Sequence, residues 1–263
     1  MHDKICYKTN YLKQVIARVD LISPIVSINT QLDPGIINTI RERYPIPEQA
    51  TQNIQEVKFK ITQGKPETPE PSSPKTITEW TFWDKDRQNK LVITYDMILF
   101  VFQKYESFDS FESLFTTILN AFSKAYGDII SKRIGLRYIN NIEIKGKKIF
   151  QWSKYITRLV TPSIITKVGI KEKLSRAFQI TEINYGDFSL TFRHGIPNSD
   201  YPAPIKRDEF VLDLDAYCTL AQPPEEVIES IHKFHEKIQE LFELSITEDL
   251  RKIMGNESDT STK

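Results

Sequence analysis

A regular alternation of side chains from Ile130 to Lys145 restricts the fold of this chain more than any other feature. The even positions are mostly apolar or aromatic: Ile134, Leu136, Tyr138, Asn140, Ile142 and Ile144. The odd positions are mostly polar, and they include Arg133 and Arg137 on either side of Gly135. A period of two is the period of a β-strand, whose successive side chains point to opposite faces. The stretch therefore predicts a long strand in a half-buried sheet, with both arginines on its polar face.

Similar patterns along the chain predict further strands and helices. Alternating stretches predict strands at 14–22, 56–61, 79–84, 90–95, 98–102, 177–183, 188–194 and 209–217. Apolar stripes at helical spacing predict helices capped by Asp33 and by Asp109, a long helix opened by Pro223, and a short last helix around Leu250. Short links between successive strands favour antiparallel pairing. The predicted fold class is α+β, with a large, mostly antiparallel sheet covered by two long helices.

The order of these elements predicts one compact unit over residues 1–255. A meander followed by a long helix occurs twice, which is compatible with two repeated halves, 1–148 and 173–255, joined by a connector at 149–172. Residues 63–76 contain prolines at positions 66, 69, 71 and 74 and almost no apolar side chain, so we expect a mobile loop there. Residues 256–263 are expected to be a disordered tail.

The composition excludes several classes of protein. Lysine plus arginine and aspartate plus glutamate both number 35, so no net charge draws the chain to nucleic acid or to an acidic membrane. Cys6 and Cys218 are far apart in the sequence, which argues against a disulfide framework and a cysteine-based zinc site. No apolar run approaches the roughly 18 residues of a membrane-spanning helix, and the first residues do not resemble a secretion signal. We therefore expect a soluble, cytoplasmic protein without a membrane association.

Motifs of known enzymes are absent from the sequence. It contains no glycine-rich phosphate-binding loop, no H-E-x-x-H pattern and no G-x-S-x-G pattern. His232 and His235 are three residues apart on the long helix, but His235 belongs to the apolar stripe and no acidic motif accompanies the pair. His194, near a strand end, is a single histidine. The sequence thus predicts no catalytic residue, no metal site and no cofactor.

Charged side chains on two predicted strands form the candidate site. Asp213 and Asp215 alternate with Leu212 and Leu214, as Arg133 and Arg137 alternate with apolar residues. If the two strands are neighbours, these four charges form a cross-strand ion-pair ladder.

Two functional interpretations of the same side chains remain open. In the first, the arginines bind a phosphate or a carboxylate in a groove floored by Gly135. In the second, Asp213 and Asp215 hold a divalent ion together with Glu143 or Glu182. The candidate ligand-binding residues are Arg133, Arg137, Asn141, Asp213 and Asp215.

The central motif, Arg133-Ile-Gly-Leu-Arg-Tyr-Ile-Asn140, and the late strand Val211-Leu-Asp-Leu-Asp-Ala-Tyr217 also carry a resemblance. With Pro24-Ile25-Val26 near the start, the chain resembles a sporadically distributed family of uncharacterised prokaryotic proteins of similar length. That family has an R-x-G-L-R-Y-x-N core motif and a late D-x-D strand. The resemblance implies no activity and no catalytic residue. The patchy distribution of the family suggests mobile genomic islands, including antiphage defence loci.

These observations favour a non-catalytic binding or accessory protein over an enzyme. Its ligand is expected to be a protein partner or a small anionic molecule, bound on the polar face of the sheet. One alternative is a metal-dependent enzyme acting on a nucleotide or phosphoester. Another is a nucleic-acid-binding accessory protein, which would need a local basic patch because the whole chain is neutral.

Overall fold

The computed structural model describes residues 7–54, 57–58, 61–62, 65–66, 70–71, 75–127, 129–144, 151–161, 173–207 and 209–255. The strands are β1 (Leu12–Leu21), β2 (Ile46–Ile54), β3 (Val57–Lys58), β4 (Ile61–Thr62), β5 (Lys65–Pro66), β6 (Glu70–Pro71), β7 (Lys75–Trp83), β8 (Asn89–Thr94), β9 (Met97–Phe102), β10 (Ser131–Glu143), β11 (Ala177–Asn184), β12 (Ser189–Ile196) and β13 (Glu209–Cys218). The α-helices are α1 (Pro34–Arg41), α2 (Phe108–Tyr126), α3 (Pro224–Ser245) and α4 (Glu248–Met254). Short 3-10 helices occupy Val26–Asn29 and Trp152–Lys154.

The main sheet has nine strands in the order β11-β12-β13-β10-β1-β9-β8-β7-β2. Every neighbouring pair in it is antiparallel. The fold is therefore α+β, as the sequence predicts. Outward from the central β1–β10 pair, the meander β9–β8–β7 lies on one side and the meander β13–β12–β11 on the other. A duplication of two halves stays a prediction, because this shared element order is a similarity of arrangement and not of residues.

One face of the sheet carries the hydrophobic core. The even residues of β10 and β13, such as Leu136 and Leu214, are buried there. Helix α2 presents Phe111, Phe115 and Phe122 to this face, and α3 packs across both β10 and β13. The apolar faces of the alternating strands therefore pack against the apolar stripes of the helices. No described helix is long and apolar enough to cross a membrane.

The helix starts follow the capping chemistry of the sequence. The Asp33 side chain accepts hydrogen bonds from the backbone N–H groups of Gly35 and Ile36 at the start of α1. Helix α2 begins one residue earlier than Asp109, at Phe108, because the Ser107 side chain accepts the bond from the Ser110 N–H (3.1 Å). A serine N-cap satisfies one of the first free N–H groups of a helix.

The segment between β2 and β7 differs from the prediction. Strand β2 was not predicted, because its polar sequence IPEQATQNI has no apolar alternation. It pairs with β7 along its length, and the pairs β3–β6 and β4–β5 continue beyond it as short ladders. Lys65–Pro66 and Glu70–Pro71 are therefore strands within the segment predicted as a loop. The rest of that segment up to residue 74, connector residues 149–150 and 162–172, and the tail 256–263 lie outside the described residues.

Candidate functional site

The helices cover only one face of the nine-stranded sheet, and none of the described helices packs on the other, which we call the open face. The pairing register shows how far the open face extends. One row of directly opposed residues crosses all nine strands: Glu182, Thr191, Asp215, Arg137, Ile16, Val101, Lys90, Trp83 and Ile46. The predicted site residues therefore lie in the middle of a broad surface.

Arg137 and Asp213 form the closest contact of the predicted set. Arg137 stands directly opposite Asp215, but its guanidinium turns diagonally to Asp213. Its Nε donates to Oδ1 at 2.7 Å and its Nη2 to Oδ2 at 2.6 Å. Asp213 is only 5% exposed. This bidentate, charge-assisted pair is one contact of the predicted four-charge ladder, and it occupies both oxygens of a buried carboxylate.

Arg193 on β12 completes the cluster, although sequence reasoning did not select it. Its Nη1 lies 3.6 Å from Oδ2 of Asp213 and 3.6 Å from Oδ2 of Asp215. That nitrogen is buried and has no hydrogen-bond partner among the described residues. Thr191 and Arg193 are two residues apart in the sequence and so lie on one face of a strand. Only the pairing of β12 with β13 brings Arg193 to the aspartates.

The two aspartates have different electrostatic environments. Burial raises the pKa of Asp215, and the nearby cations Arg137, Arg193 and Arg133 only partly counteract it. The hydrogen bonds to Asp213, in contrast, raise the pKa of the Arg137 guanidinium. Asp215 accepts no hydrogen bond from the described residues, so its partly desolvated carboxylate is balanced only by the longer ion pair with Arg193.

Arg133 occupies the space that the sequence assigned to a ligand. Its guanidinium lies over the Tyr217 ring, 5.4 Å from the ring centroid. A Cβ placed on Gly135 would lie 3.5 Å from Arg133 Nη1, so the side chain folds back over the glycine. The groove predicted above Gly135 is therefore filled by Arg133 itself. No described carboxylate forms an ion pair with this guanidinium, which leaves its charge available to a partner.

Asn141 lies apart from this cluster. Its Nδ2 donates to Oε2 of Glu209 at 2.9 Å, near the end of the β10–β13 pair. Its Oδ1 is buried without a hydrogen-bond partner among the described residues. The structure thus brings together Arg133, Arg137, Asp213 and Asp215 and leaves Asn141 outside the group.

The donors proposed for a divalent ion do not converge. Glu143 stands opposite Glu209 at the end of β10, and Glu182 lies on β11, opposite Thr191. Within the described part of the chain, no three histidine, cysteine, aspartate or glutamate side chains are placed to hold a metal ion. Arg137 and Arg193 also surround Asp213, and their charges disfavour a nearby cation. The aspartate pair therefore does not fit a metal site.

The described histidines lie away from the open face. His194 is buried, and its Nδ1–H donates to the carbonyl oxygen of Val160 at 2.7 Å. Burial lowers its pKa. His235 stacks on Phe108 with ring centroids 3.8 Å apart, and its Nδ1 lies 3.0 Å from the Tyr138 hydroxyl. His194 therefore joins β12 to the segment around Val160, and His235 packs within the helical layer.

A further cleft, missed by the sequence, lies beside the end of the open face. It has a volume of about 800 Å³ and is formed by the start of β11, the residues after β12 and the start of β13. Its lining includes Arg176, Phe178, Ile180, Asn198, Arg207 and Glu209. The guanidinium of Arg176 also lies 4.6 Å from the centroid of the Tyr201 ring. Only the hairpin geometry assembles this cleft, because its residues are scattered along the chain.

Comparison of the sequence with models of protein families gave no match, and a search of curated proteins found none with significant similarity. The resemblance based on the R-x-G-L-R-Y-x-N motif therefore stays a prediction.

Proposed function

We propose that this protein is a non-catalytic binding protein that holds a protein partner against the open face of its sheet. The observation that carries the proposal is the combination of residues on that uncovered face. Apolar side chains occupy its centre, and arginines and Tyr217 stand beside them. The central apolar residues, none of them covered by a described helix, are Ile16, Met97, Leu99, Val101 and Ile139.

This composition is typical of protein interfaces. Arginine, tyrosine and methionine are enriched at interfaces, whereas lysine and glutamate are depleted. Arg18, Arg133, Arg137 and Arg193 supply the positive charge around the centre, while Lys90 lies further out, over the Trp83 ring. An apolar centre with a charged margin is the usual arrangement of an interface, and binding energy concentrates in such aromatic and arginine side chains.

The open face is also large and rigid enough for a protein partner. Nine strands spaced about 4.8 Å apart span roughly 40 Å, which exceeds the width needed to bury about 800 Å² on one partner. Its arginines are held in place: Arg137 by Asp213, Arg18 by Asp20 at 2.8 Å, and Arg133 by Tyr217. Side chains that are already ordered lose less conformational entropy when a partner binds.

The alternative ligands have less support from the same contacts. A small anion at the cluster would have to displace Asp213 from Arg137, or Arg133 from Gly135. Nucleic acid would meet Asp20, Asp213 and Asp215 among the arginines, which weakens an attraction to phosphates. If the resemblance to the prokaryotic family holds, the partner is best sought among proteins encoded beside this one in a mobile or defence locus.

Charge changes on the open face test the proposal. Candidate partners are identified by cross-linking in cells, purified, and titrated calorimetrically with wild type, Arg133→Glu and Leu99→Lys. We expect each face variant to weaken binding at least roughly tenfold, as for a central interface residue. Lys124→Glu, an exposed change on helix α2, is the matched control and should bind as wild type does. Full affinity in both face variants, with wild-type thermal stability, would show that the open face is not the binding surface.

A ligand panel separates this proposal from the small-ligand and enzyme alternatives. Thermal unfolding of wild type and Arg137→Ala is measured with nucleotides, phosphorylated metabolites and divalent ions. We expect no ligand to raise the midpoint of either protein. A compound that stabilises wild type but not Arg137→Ala would place an anion site on β10 and contradict the proposal, because a ligand that prefers the native state raises its stability.

A further inference from the structure

Strand β11 forms a free edge of the nine-stranded sheet and lacks the usual protection of such edges. Its sequence, AFQITEIN, contains neither proline nor lysine, and Phe178 and Ile180 are 38% and 65% exposed. The other edge, β2, contains Pro47 and mostly polar residues. Prolines, lysines and irregularities normally keep sheet edges from pairing with another chain. Among the strands that the structure describes, β11 is therefore the sheet edge open to a further strand.

The backbone of β11 shows which groups are free to pair. A hydrogen bond of 2.9 Å from the Tyr185 N–H to the Phe188 carbonyl oxygen closes the turn between β11 and β12. Because backbone groups alternate in direction along an antiparallel strand, the odd residues of β11 bond to β12. The N–H and C=O groups of Phe178, Ile180 and Glu182 consequently point away from the sheet. Their side chains lie on the open face.

Opposite charges stand at the two ends of this edge, and no oppositely charged side chain of the described residues pairs with either of them. Arg176 and Glu182 form no ion pair with the described residues. In a two-fold arrangement of antiparallel strands, each residue faces a counterpart on the other copy, and the contacts are reciprocal. We propose that β11 pairs with β11 of a second copy of this chain, with the two-fold axis at Gln179. This places Arg176 opposite Glu182 and Phe178 opposite Ile180, twice each.

Neighbouring registers do not give this match. An axis at Phe178 would place Arg176 opposite Ile180, and an axis at Ile180 would place Phe178 opposite Glu182. Only the register centred on Gln179 pairs unlike charges and joins apolar side chains at the same time. The register is thus specified by side chains, while the main-chain bonds supply attraction. The resulting dimer joins two nine-stranded sheets edge to edge and sets their open faces side by side.

Reciprocal charge reversal tests this pairing. The dimer dissociation constant is measured by sedimentation velocity for wild type, Arg176→Glu, Glu182→Arg and the double variant. Each single change puts like charges opposite each other at both ends, so we expect roughly tenfold weaker dimers. The double variant restores unlike pairs and should recover the wild-type constant. Arg87→Glu, near the β2 edge, is the matched control and should leave dimerisation unchanged.

A proline at Ile180 provides a second and independent readout. It removes an N–H that points outward and keeps the bonds to β12, so the monomer should remain folded. We expect Ile180→Pro to be monomeric with a wild-type circular dichroism spectrum. A wild type that is monomeric at its highest soluble concentration would overturn the proposal, as would a double variant that stays as weak as the single ones. Neither result depends on the binding function proposed for the open face.

Discussion

At the scale of single residues, the carboxylates of Asp213 and Asp215 lie on the same face of β13 but differ in how far their contacts compensate for the loss of solvation. Asp213 is buried and receives two short bonds from Arg137, whereas Asp215 has only the distant Arg193 contact at 3.6 Å. Desolvation disfavours a carboxylate, and close hydrogen bonds compensate for it. The charge of Asp213 is therefore needed by the fold, and that of Asp215 is not.

Replacing each aspartate by asparagine should separate the two roles. Asp213→Asn leaves the Arg137 guanidinium with a neutral partner, and we expect a loss of about 2 kcal/mol in the free energy of unfolding. Asp215→Asn should change this free energy by less than about 0.5 kcal/mol, or raise it, because the raised pKa shows that the fold disfavours the charge. Urea unfolding at neutral pH measures both. Equal losses would mean that the cluster acts as a unit.

His194 should make stability depend on pH. Its pKa lies below the ordinary value of 6.5 because burial disfavours the imidazolium, and the bond to the Val160 carbonyl only partly offsets this effect. The unfolded chain then binds the proton more tightly than the folded one. The stability contribution is complete above pH 6.5 and is lost as the pH falls from there through the lowered pKa.

Urea unfolding of wild type and His194→Gln over a pH series checks this expectation. Between neutral pH and about pH 5, the wild type should lose more stability than the variant, since glutamine does not titrate. The two profiles should run parallel above pH 6.5. Parallel profiles throughout would show that His194 titrates equally in both states.

At the scale of elements, two glycines of the sheet, Gly195 on β12 and Gly135 on β10, should respond differently to alanine. Gly195 has φ +140°, and a Cβ there would overlap the carbonyl oxygen of Ala177 on β11. We expect Gly195→Ala to cost about 3 kcal/mol, because it strains the backbone and separates β11 from β12. At Gly135 the nearest atoms are at ordinary contact distances, so alanine should gain up to about 1 kcal/mol. Thermal unfolding compares both variants with wild type.

The sequence predicted the elements well wherever one face of an element is buried. Strands β1 and β7 to β13 and helices α1 to α4 fall within a few residues of their predicted positions, because alternation, stripes and caps encode them locally. Strand β2 has no buried face, so its polar residues gave no signal. Strand β3 and Ile61 of β4 lie within the strand predicted at 56–61, whereas their partners β6 and β5 were missed because each contains a proline.

At the scale of the whole molecule, the candidate site depends on strand order, which no local pattern contains. The polar residues of β10 and β13 were selected from alternation, but their contact was only conditional on the two strands being neighbours. Arg193 reaches this face because β12 pairs with β13, and Arg18 reaches it because β1 pairs with β10. Arg18 and Arg193 are both distant from Arg137 in the sequence. The diagonal turn of Arg137 toward Asp213 likewise follows from side-chain packing. Sequence reasoning thus identified the face but not its complete set of residues.

The order of the strands also predicts how the molecule unfolds. The seam between the first and second halves of the chain is the β10–β13 pair, and α3 from the second half packs on β10 from the first. Separating the halves would expose the apolar faces of β10, β13 and α3, which is unfavourable in water. We therefore expect the described sheet to unfold in one cooperative transition, with neither half stable alone.

Hydrogen exchange in increasing urea tests this expectation strand by strand. Amides of β7 to β9 and of β12 to β13 should converge on the same opening free energy as the denaturant rises, because they share one global transition. Asp213→Asn weakens the β10–β13 contact and should lower the opening free energies of both groups of amides equally. A state in which β7 to β9 remain protected while β12 and β13 exchange would identify two separate folding units, and would favour the duplicated halves that the element order suggests.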